Sequence, residues 1–194
     1  MSTTSNAMSR YDVTHALVSR LNPSDAIIGG IGNTNFDLWA VEQRRTNFYM
    51  LGSMGLAIPI ALGVAIAQPQ SRVIALEGDG SVLMELGVFA TVAKLRQANL
   101  GTIIMDNGCY QITGAQPTGT DIVDIAAVAR ACGLENSVTV HSAEELERQL
   151  DAFLPTSKPW VIVAKVDRSA ARATTERLPM RIRDRFMGAI AEPA

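Results

Sequence analysis

Two short polar segments carry the residue types that could bind a metal ion together with a phosphate. Gly78-Asp79-Gly80-Ser81 and Asp106-Asn107-Gly108 each follow an apolar, strand-like run. The Asp79 carboxylate and the Asn107 amide oxygen are hard oxygen ligands, which Mg²⁺ prefers along with phosphate oxygens. Glycines let the backbone approach a phosphate closely, and amides at the start of a helix favour an anion. Taken alone, the first segment indicates only a turn between a strand and a helix.

The elements around these segments place both of them at one edge of a sheet. Residues 73–76 and 102–105 read as strands. Between them, apolar residues recur at helical spacing, namely Leu83, Leu86, Phe89, Ala90, Ala93 and Leu95. Ligands of parallel α/β sheets bind at the carboxyl ends of the strands. We therefore expect Asp79 and Asn107 to lie close together despite their separation in sequence.

The remaining chain alternates between strand-like and helix-like segments. Further strands are predicted at residues 26–31, 137–140 and 160–166, and further helices at 11–21, 56–68, 120–132, 142–153 and from 179 onward. Thr120 or Asp121 is predicted to cap the helix that ends near Cys132, with Ile122 on its apolar face. These elements predict an α/β fold, a single doubly wound domain whose mostly parallel sheet of about five or six strands is flanked by helices. We assign residues 9–194 to it and interpret residues 1–8 as a tag or a disordered N-terminus.

Composition excludes several classes of function. The chain has 194 residues and a formal net charge of −2, so it lacks the basic footprint of a nucleic-acid-binding protein. The longest apolar segment, residues 54–67, is interrupted by Pro59 and Gly63 and is too short to span a membrane. Cys109 and Cys132 have neither CxxC nor zinc-ligand spacing, which indicates a reducing, cytoplasmic setting.

The two polar segments together resemble the signature of thiamin diphosphate-dependent enzymes, in which GDG is followed by a distant asparagine. By this resemblance Asp79, Asn107 and the carbonyl of Cys109 bind Mg²⁺, and Gly78, Gly80, Ser81 and Tyr110 also belong to the cofactor site. The Gly32-Asn33-Thr34 segment is similar to the loop that touches the diphosphate. A generic nucleotide-binding fold is the alternative interpretation.

Gly52-Ser53-Met54-Gly55 resembles the segment that holds the aminopyrimidine ring in this family. The resemblance implies that the Gly52 carbonyl accepts a hydrogen bond from the 4′-amino group of the cofactor. It also implies that Met54 is the apolar wedge that bends the cofactor into its V shape, with Ser53 beside it.

Within the family, residues 47–55 and 106–118 and the tail segment Arg185-Phe186-Met187 are similar to phosphonopyruvate and sulfopyruvate decarboxylases. The resemblance covers one of their two domain types, the diphosphate-binding (PP) half, as in the separate β subunit of sulfopyruvate decarboxylase. It implies decarboxylation of a 2-oxo acid to an aldehyde and CO₂. The glutamate that activates the cofactor belongs to the pyrimidine-binding half. We therefore expect no catalytic residue here, and we predict a pyrimidine-binding α subunit as partner in an even-numbered hetero-oligomer.

Three functional interpretations stay open at this point. The first is a decarboxylase subunit, the second a subunit of a thiamin-dependent carboligase or synthase, and the third a non-catalytic cofactor-binding subunit. The relatives have an arginine soon after the diphosphate loop, where this chain reads Asn35-Phe36-Asp37, which argues against a phosphonate or sulfonate substrate. Arg44 and Arg45 either compensate for that cation or form a solvated surface pair. Another open choice concerns Tyr110, Gln111 and Thr113, which line the substrate channel or only pack the loop.

Overall fold

The computed structural model describes residues 8–191. These residues contain eight strands, β1 (Ala26–Gly29), β2 (Asn47–Tyr49), β3 (Val73–Gly78), β4 (Leu100–Asp106), β5 (Cys109–Tyr110), β6 (Gln116–Pro117), β7 (Asn136–Val140) and β8 (Trp160–Lys165). Six of them form one sheet in the order β2-β1-β3-β4-β8-β7, and every pairing within it is parallel. The predicted doubly wound α/β fold is confirmed. β5 and β6 form a separate antiparallel hairpin that the sequence did not predict.

In the described part of the chain, eight helices surround the sheet, α1 (Arg10–Val18), α2 (Asn33–Val41), α3 (Ala57–Ala67), α4 (Asp79–Leu83), α5 (Val88–Leu95), α6 (Ile125–Ala131), α7 (Ala143–Phe153) and α8 (Pro179–Ala191). Successive side chains of a strand point to opposite faces, and β3 shows both sides. Val73 and Ala75 pack with α3, α5 and α6, whereas Ile74 and Leu76 pack with α1, α2 and α7. The sheet is therefore covered on both faces, as its almost continuously apolar strands require.

Two predicted helices differ from the structure. The segment 83–95 is not one helix, because α4 ends at Leu83 and α5 begins at Val88. The helix α6 is capped by Asp124, whose carboxylate accepts a hydrogen bond from the Ala127 amide, and not by Thr120 or Asp121. Ile122 precedes the helix and is 86% exposed, so it contributes nothing to the apolar face.

Met8, which we assigned to the N-terminal tag or disordered segment, is part of the fold. Met8 is buried, forms a parallel bridge with Val166 and accepts a hydrogen bond from the Asp167 amide. It therefore belongs to the domain. The predicted tag or disordered segment is otherwise residues 1–7, which lie outside the described residues.

Strand register brings the polar segments together. β3 and β4 are paired over six residue pairs, from Val73 with Leu100 to Gly78 with Met105. Asp79 and Asp106 follow that last pair directly. β1 ends beside them, since the Gly30 amide donates a hydrogen bond to the Leu76 carbonyl. The carboxyl ends of β1, β3 and β4 therefore form one edge of the sheet.

Candidate active site

A cavity of about 150 Å³ opens at this edge. Most of the residues that were predicted from the sequence line it, namely Asn33, Thr34, Met54, Gly78, Asp79, Gly80, Ser81, Asn107, Cys109 and Tyr110. They come from the segments that follow β1, β2, β3 and β4. The structure thus brings together residues that the sequence analysis had selected from four separate stretches.

The other three predicted residues, Gly32, Gly52 and Ser53, are not among those that line this cavity. Gly32 is the cap residue of α2, with a φ of 74°, and a Cβ atom there would lie 2.0 Å from the Cδ1 atom of Ile112. Gly52 and Ser53 line a different groove, between Phe48 and Pro179. Met54 faces the main cavity, so the turn that carries these residues separates the two depressions.

Asp79 is a buried carboxylate held by two donors. Its Oδ2 atom accepts hydrogen bonds from the Thr118 hydroxyl at 2.7 Å and from the Gly108 amide at 3.1 Å. Only 3% of its surface is exposed. Burial, together with repulsion from the Asp106 carboxylate, raises the pKa of Asp79 to about 6. The group therefore carries a negative charge at neutral pH that a nearby cation would stabilise.

Asp106 lies next to Asp79 and is paired with a lysine. Its carboxylate forms an ion pair with Lys165 and accepts a hydrogen bond of 2.8 Å from the Thr120 hydroxyl. The Gly108 amide donates to both carboxylates, at 3.1 Å in each case. Lys165 thus compensates Asp106, which leaves Asp79 as the carboxylate available to a ligand.

The segment after β4 supplies two further oxygen atoms. Asn107 Oδ1 accepts a hydrogen bond of 3.0 Å from the Cys109 amide, and the chain turns between them at Gly108, with a φ of 69°. The Cys109 carbonyl accepts a hydrogen bond of 3.0 Å from the backbone amide of Gln111. Among the described residues, no three His, Cys, Asp or Glu side chains converge on a possible metal site. A metal here would therefore be bound by one carboxylate, one amide oxygen and one backbone carbonyl, a set that suits Mg²⁺.

Tyr110 explains why a glycine occupies position 80. A Cβ atom on Gly80 would lie 2.3 Å from the Cε1 atom of the Tyr110 ring. The ring therefore packs directly on the backbone of the first turn of α4. At Gly78, by contrast, a Cβ would meet no atom within 4 Å, so the backbone there is open to the cavity.

Glu77 is a buried carboxyl group near the end of β3. Its Oε2 atom accepts a hydrogen bond of 3.0 Å from the Ala57 amide at the start of α3, and Oε1 accepts one of 3.3 Å from the Gly78 amide. Burial raises the pKa of Glu77 to about 7. The side chain thus links the helix after the Met54 turn to the segment that contains Asp79.

Arg10 and Gln111 also line the cavity. Arg10 forms a buried ion pair with Asp37 at 3.1 Å, and the two side chains are only 4% and 2% exposed. The N-terminal position of Arg10 in α1 gave no signal of this role, because burial of an arginine depends on a distant partner.

The residues invoked to explain the substrate lie elsewhere. Arg44 donates hydrogen bonds to the carbonyls of Asn22 and Asp25, which precede β1 at the opposite edge of the sheet. Phe36, Arg44 and Arg45 are all absent from the cavity lining. The proposal that Arg44 or Arg45 replaces the missing cation is therefore not supported by the structure.

Comparison with known proteins agrees with this geometry. The family model described as thiamine pyrophosphate enzyme, C-terminal TPP binding domain, matches residues 30–164. The chain therefore belongs to the thiamine pyrophosphate enzyme family and contains its C-terminal, TPP-binding domain. The predicted family and its cofactors, thiamin diphosphate with Mg²⁺, are confirmed by this match.

Individual proteins of the family show which members this chain resembles. Sulfopyruvate decarboxylase subunit beta of Methanocaldococcus jannaschii is 37% identical over 183 residues, which are 93% of this chain and 96% of that protein. Phosphonopyruvate decarboxylase of Streptomyces hygroscopicus is 38% identical over 80% of this chain, which spans only 39% of that protein. The crystal structure of benzoylformate decarboxylase from Polynucleobacter necessarius has a similar fold, with a TM-score of 0.70 and 20% identity over 82% of this chain and 33% of that one. The predicted function, a subunit of a thiamin diphosphate-dependent decarboxylase, is confirmed by the first relative.

The helices within residues 8–191 are short. The longest helix, α8, has 13 residues. Within residues 8–191, none combines the length and the apolarity that crossing a membrane requires.

Proposed function

We propose that this chain is the diphosphate-binding, β-type subunit of a split decarboxylase that converts a 2-oxo acid to an aldehyde and CO₂ with a pyrimidine-binding α subunit. The observation that carries the proposal is the convergence of Asp79, Asn107 and Cys109 on one cavity with Asn33 and Thr34. The match to beta subunits over nearly their whole length supports the same assignment.

Asp79, Asn107 and the Cys109 carbonyl would hold Mg²⁺, which takes about six oxygen ligands and shares phosphate oxygens. The hydrogen bonds from the Thr118 hydroxyl and the Gly108 amide both end on Oδ2 of Asp79, so we assign the metal to Oδ1. The open space over Gly78 leaves room for a diphosphate beside the backbone. When bound, thiamin diphosphate supplies the electron sink for decarboxylation. The part of this chain is to anchor and orient the cofactor, while apolar residues such as Met54 and Ile31 exclude water.

A partner subunit follows from what the cavity contains. In the described part of the chain, Asp79 is the single carboxylate among the lining residues, and no glutamate lines the cavity. The family resemblance requires a glutamate beside the aminopyrimidine ring of the cofactor. We assign that glutamate to the α subunit.

The surface near the cavity is suited to a partner. The helix α3 contains no charged residue, and Leu51, Leu56, Ile66 and Met84 are exposed in or near it. Exposed apolar residues that cluster in this way mark interaction surfaces. We propose that the α subunit covers this side in an even-numbered hetero-oligomer. Both cysteines are free, which fits the proposed cytoplasmic location.

The substrate is proposed as a class, a 2-oxo acid. The only lining side chain with a positive charge among the described residues is Arg10, and Asp37 neutralises it. Sulfopyruvate and phosphonopyruvate are the first substrates to test, because the relatives are named for them. Uncharged 2-oxo acids belong in the same panel, since Arg10 is already paired with Asp37.

The test is co-expression of this chain with the pyrimidine-binding subunit, followed by assay of CO₂ release with Mg²⁺, thiamin diphosphate and each 2-oxo acid. We expect turnover by the pair and none by the chain alone. Robust turnover by the isolated chain would overturn the split-enzyme proposal. Product analysis with an added acceptor aldehyde separates decarboxylation from carboligation. Asp79→Ala should abolish turnover; intact turnover with lost metal-dependent cofactor binding would instead identify a non-catalytic subunit.

A further inference from the structure

The Gln111 side chain is a meeting point of four segments of the chain. Its Oε1 atom accepts hydrogen bonds from Arg10 Nη1 at 2.9 Å, from Asn107 Nδ2 at 3.1 Å and from Asn33 Nδ2 at 3.2 Å. Its Nε2 atom donates to the Arg168 carbonyl at 2.6 Å. The residue lies just after β5, at the start of the hairpin loop, and lines the cavity.

The partners of Gln111 fix which way its amide group points. A guanidinium group can only donate hydrogen bonds, and a backbone carbonyl can only accept them. Arg10 therefore requires the oxygen of the Gln111 amide, and the Arg168 carbonyl requires the nitrogen. Arg10 is itself fixed by its buried ion pair with Asp37. A reversed Gln111 amide would place donor against donor and acceptor against acceptor.

The orientation of the Gln111 side-chain amide in turn determines the orientation of the Asn107 amide. Because Gln111 presents only its oxygen, Asn107 must turn its Nδ2 group toward it. The Oδ1 atom of Asn107 is then on the other side of the amide, where it accepts from the Cys109 amide. A reversed Asn107 would direct an NH₂ group, which has no lone pair to give, toward the position of a metal ion.

We propose that Gln111 is a positioning residue that orients the Asn107 amide so that its oxygen, and not its nitrogen, is available to Mg²⁺. The proposal rests on the proposed function, since it takes Asn107 as a metal ligand. This proposal assigns Gln111 to the metal site. For Gln111 it replaces the two interpretations left open above, namely that the residue lines the substrate channel or only packs the loop. Mutation of a residue that holds a metal ligand in place commonly weakens metal binding by about 10–100-fold.

The test is a double-mutant cycle on the full chain with its α-type partner, read out as the Mg²⁺ dissociation constant in the presence of saturating thiamin diphosphate. Gln111→Met should weaken Mg²⁺ binding by about tenfold or more. Asn107→Asp places an oxygen on both sides of the group, so its orientation no longer matters. In that background Gln111→Met should change Mg²⁺ affinity by less than about twofold, or improve it, because it removes an oxygen that faces a carboxylate.

Two controls separate orientation from packing. Gln111→Glu keeps an acceptor toward Asn107 and should retain more Mg²⁺ affinity than Gln111→Met, although its second oxygen then faces the Arg168 carbonyl. Gln116→Met makes the same change of residue type in the same hairpin and should leave Mg²⁺ affinity unchanged, because among the described residues the Gln116 side chain bonds to the loop residues Thr113 and Gly114. The melting temperature of each metal-free variant reports whether the fold survives.

Equal losses from Gln111→Met in both backgrounds would overturn the proposal, as would a Gln111→Met variant that binds Mg²⁺ like the wild type. Failure of the wild-type complex to bind Mg²⁺ with thiamin diphosphate would instead overturn the proposed function. The two failures are therefore distinguishable in one set of titrations.

Discussion

The Thr118 hydroxyl donates a hydrogen bond of 2.7 Å to the Oδ2 atom of Asp79, across the hairpin that follows β4. A hydrogen bond donated to a carboxylate favours its ionised form. Thr118 therefore opposes the two factors that raise the pKa of Asp79, namely burial and the nearby Asp106. It keeps charged the group that we assign to the metal.

The first prediction concerns this hydroxyl. Thr118→Val keeps the shape of the side chain and removes the donor, so the pKa of Asp79 should rise further. Hydrogen bonds to charged groups contribute about 1.5–3 kcal/mol. We expect Mg²⁺ binding at pH 7 to weaken by about tenfold, measured by calorimetric titration with thiamin diphosphate present. Thr118→Ser retains the hydroxyl and should bind nearly as the wild type; an equal loss in both variants would indicate packing instead.

The second prediction follows from the pKa of Asp79, which lies at about 6 in the absence of metal. A metal ligand must be deprotonated, so protons and Mg²⁺ compete for this carboxylate. Mg²⁺ affinity should change little between pH 8 and 7 and then fall, approaching about tenfold per pH unit below pH 6. Titrations across this range test it, with Asp79→Asn as a variant whose residual binding should lack the dependence. A wild-type affinity that stays constant down to pH 5 would contradict the assignment.

The third prediction concerns the stability of the metal-free chain and Glu77. Its carboxyl has a pKa of about 7 in the folded protein, against 4.5 as the ordinary value. Between these values the folded state keeps a proton that the unfolded chain has released, so stability falls as the pH rises. The difference corresponds to about 3 kcal/mol over the whole interval.

Glu77→Gln removes this titration. Urea denaturation of the wild type and the variant at several pH values should show the wild type losing stability relative to the variant from about pH 4.5 to about pH 7. Above that interval the difference between them should become constant. Parallel stability curves throughout the range would show that Glu77 titrates normally.

The fourth prediction concerns Gly32. With a φ of 74° and a ψ of −135°, its backbone adopts a conformation that is accessible without strain essentially only to glycine. Gly32→Ala should lower the free energy of unfolding by about 1–3 kcal/mol, measured by denaturant titration. Because the strain is in the backbone, the added change Ile112→Ala should not restore stability, although it removes the contact at 2.0 Å.

A matched control exists in α3. Gly63 is exposed within that helix, and a Cβ atom there would meet no atom within 4 Å. Gly63→Ala in the isolated chain should therefore be stabilising by up to about 1 kcal/mol. If Gly32→Ala proved equally harmless, the strained geometry at Gly32 would be disproved.

The metal-binding edge was predictable because it depends on local signals. Asp79 and Asn107 each follow an apolar strand, and parallel pairing of adjacent strands is enough to bring them together. No detail of side-chain packing enters that argument. For the same reason the mostly parallel sheet followed from the alternation of elements, although β2 was not among the strands predicted.

The break in the predicted helix 83–95 was hidden by the apolar spacing itself. Leu83 ends α4, Leu86 lies within the break, and Phe89 belongs to α5. All three nevertheless pack in the same core cluster. Apolar spacing reports which side of a segment faces the core, and it is insensitive to an interruption of the backbone hydrogen bonds. Thr120 is a good cap residue by type, but its hydroxyl bonds to Asp106.

The residues around the metal-binding edge could not be predicted, because each depends on a contact between distant segments. Arg10 reaches Gln111 from the start of α1, and Lys165 reaches Asp106 from the end of β8. Thr118 reaches Asp79 only because the β5–β6 hairpin folds back. Sequence spacing carries no information on such pairs.

The six-pair ladder between β3 and β4 makes this protein far more sensitive to the length of those strands than to their side chains. Exchanging one buried aliphatic residue for another in β3 leaves Gly78 opposite Met105. Inserting a single residue in either strand would shift one half of the metal-binding edge by about 3.3 Å and turn its side chains to the other face. The spacing of atoms around the proposed metal site is thus set by backbone hydrogen bonds between two strands that are buried from Val73 to Glu77 and from Leu100 to Asp106.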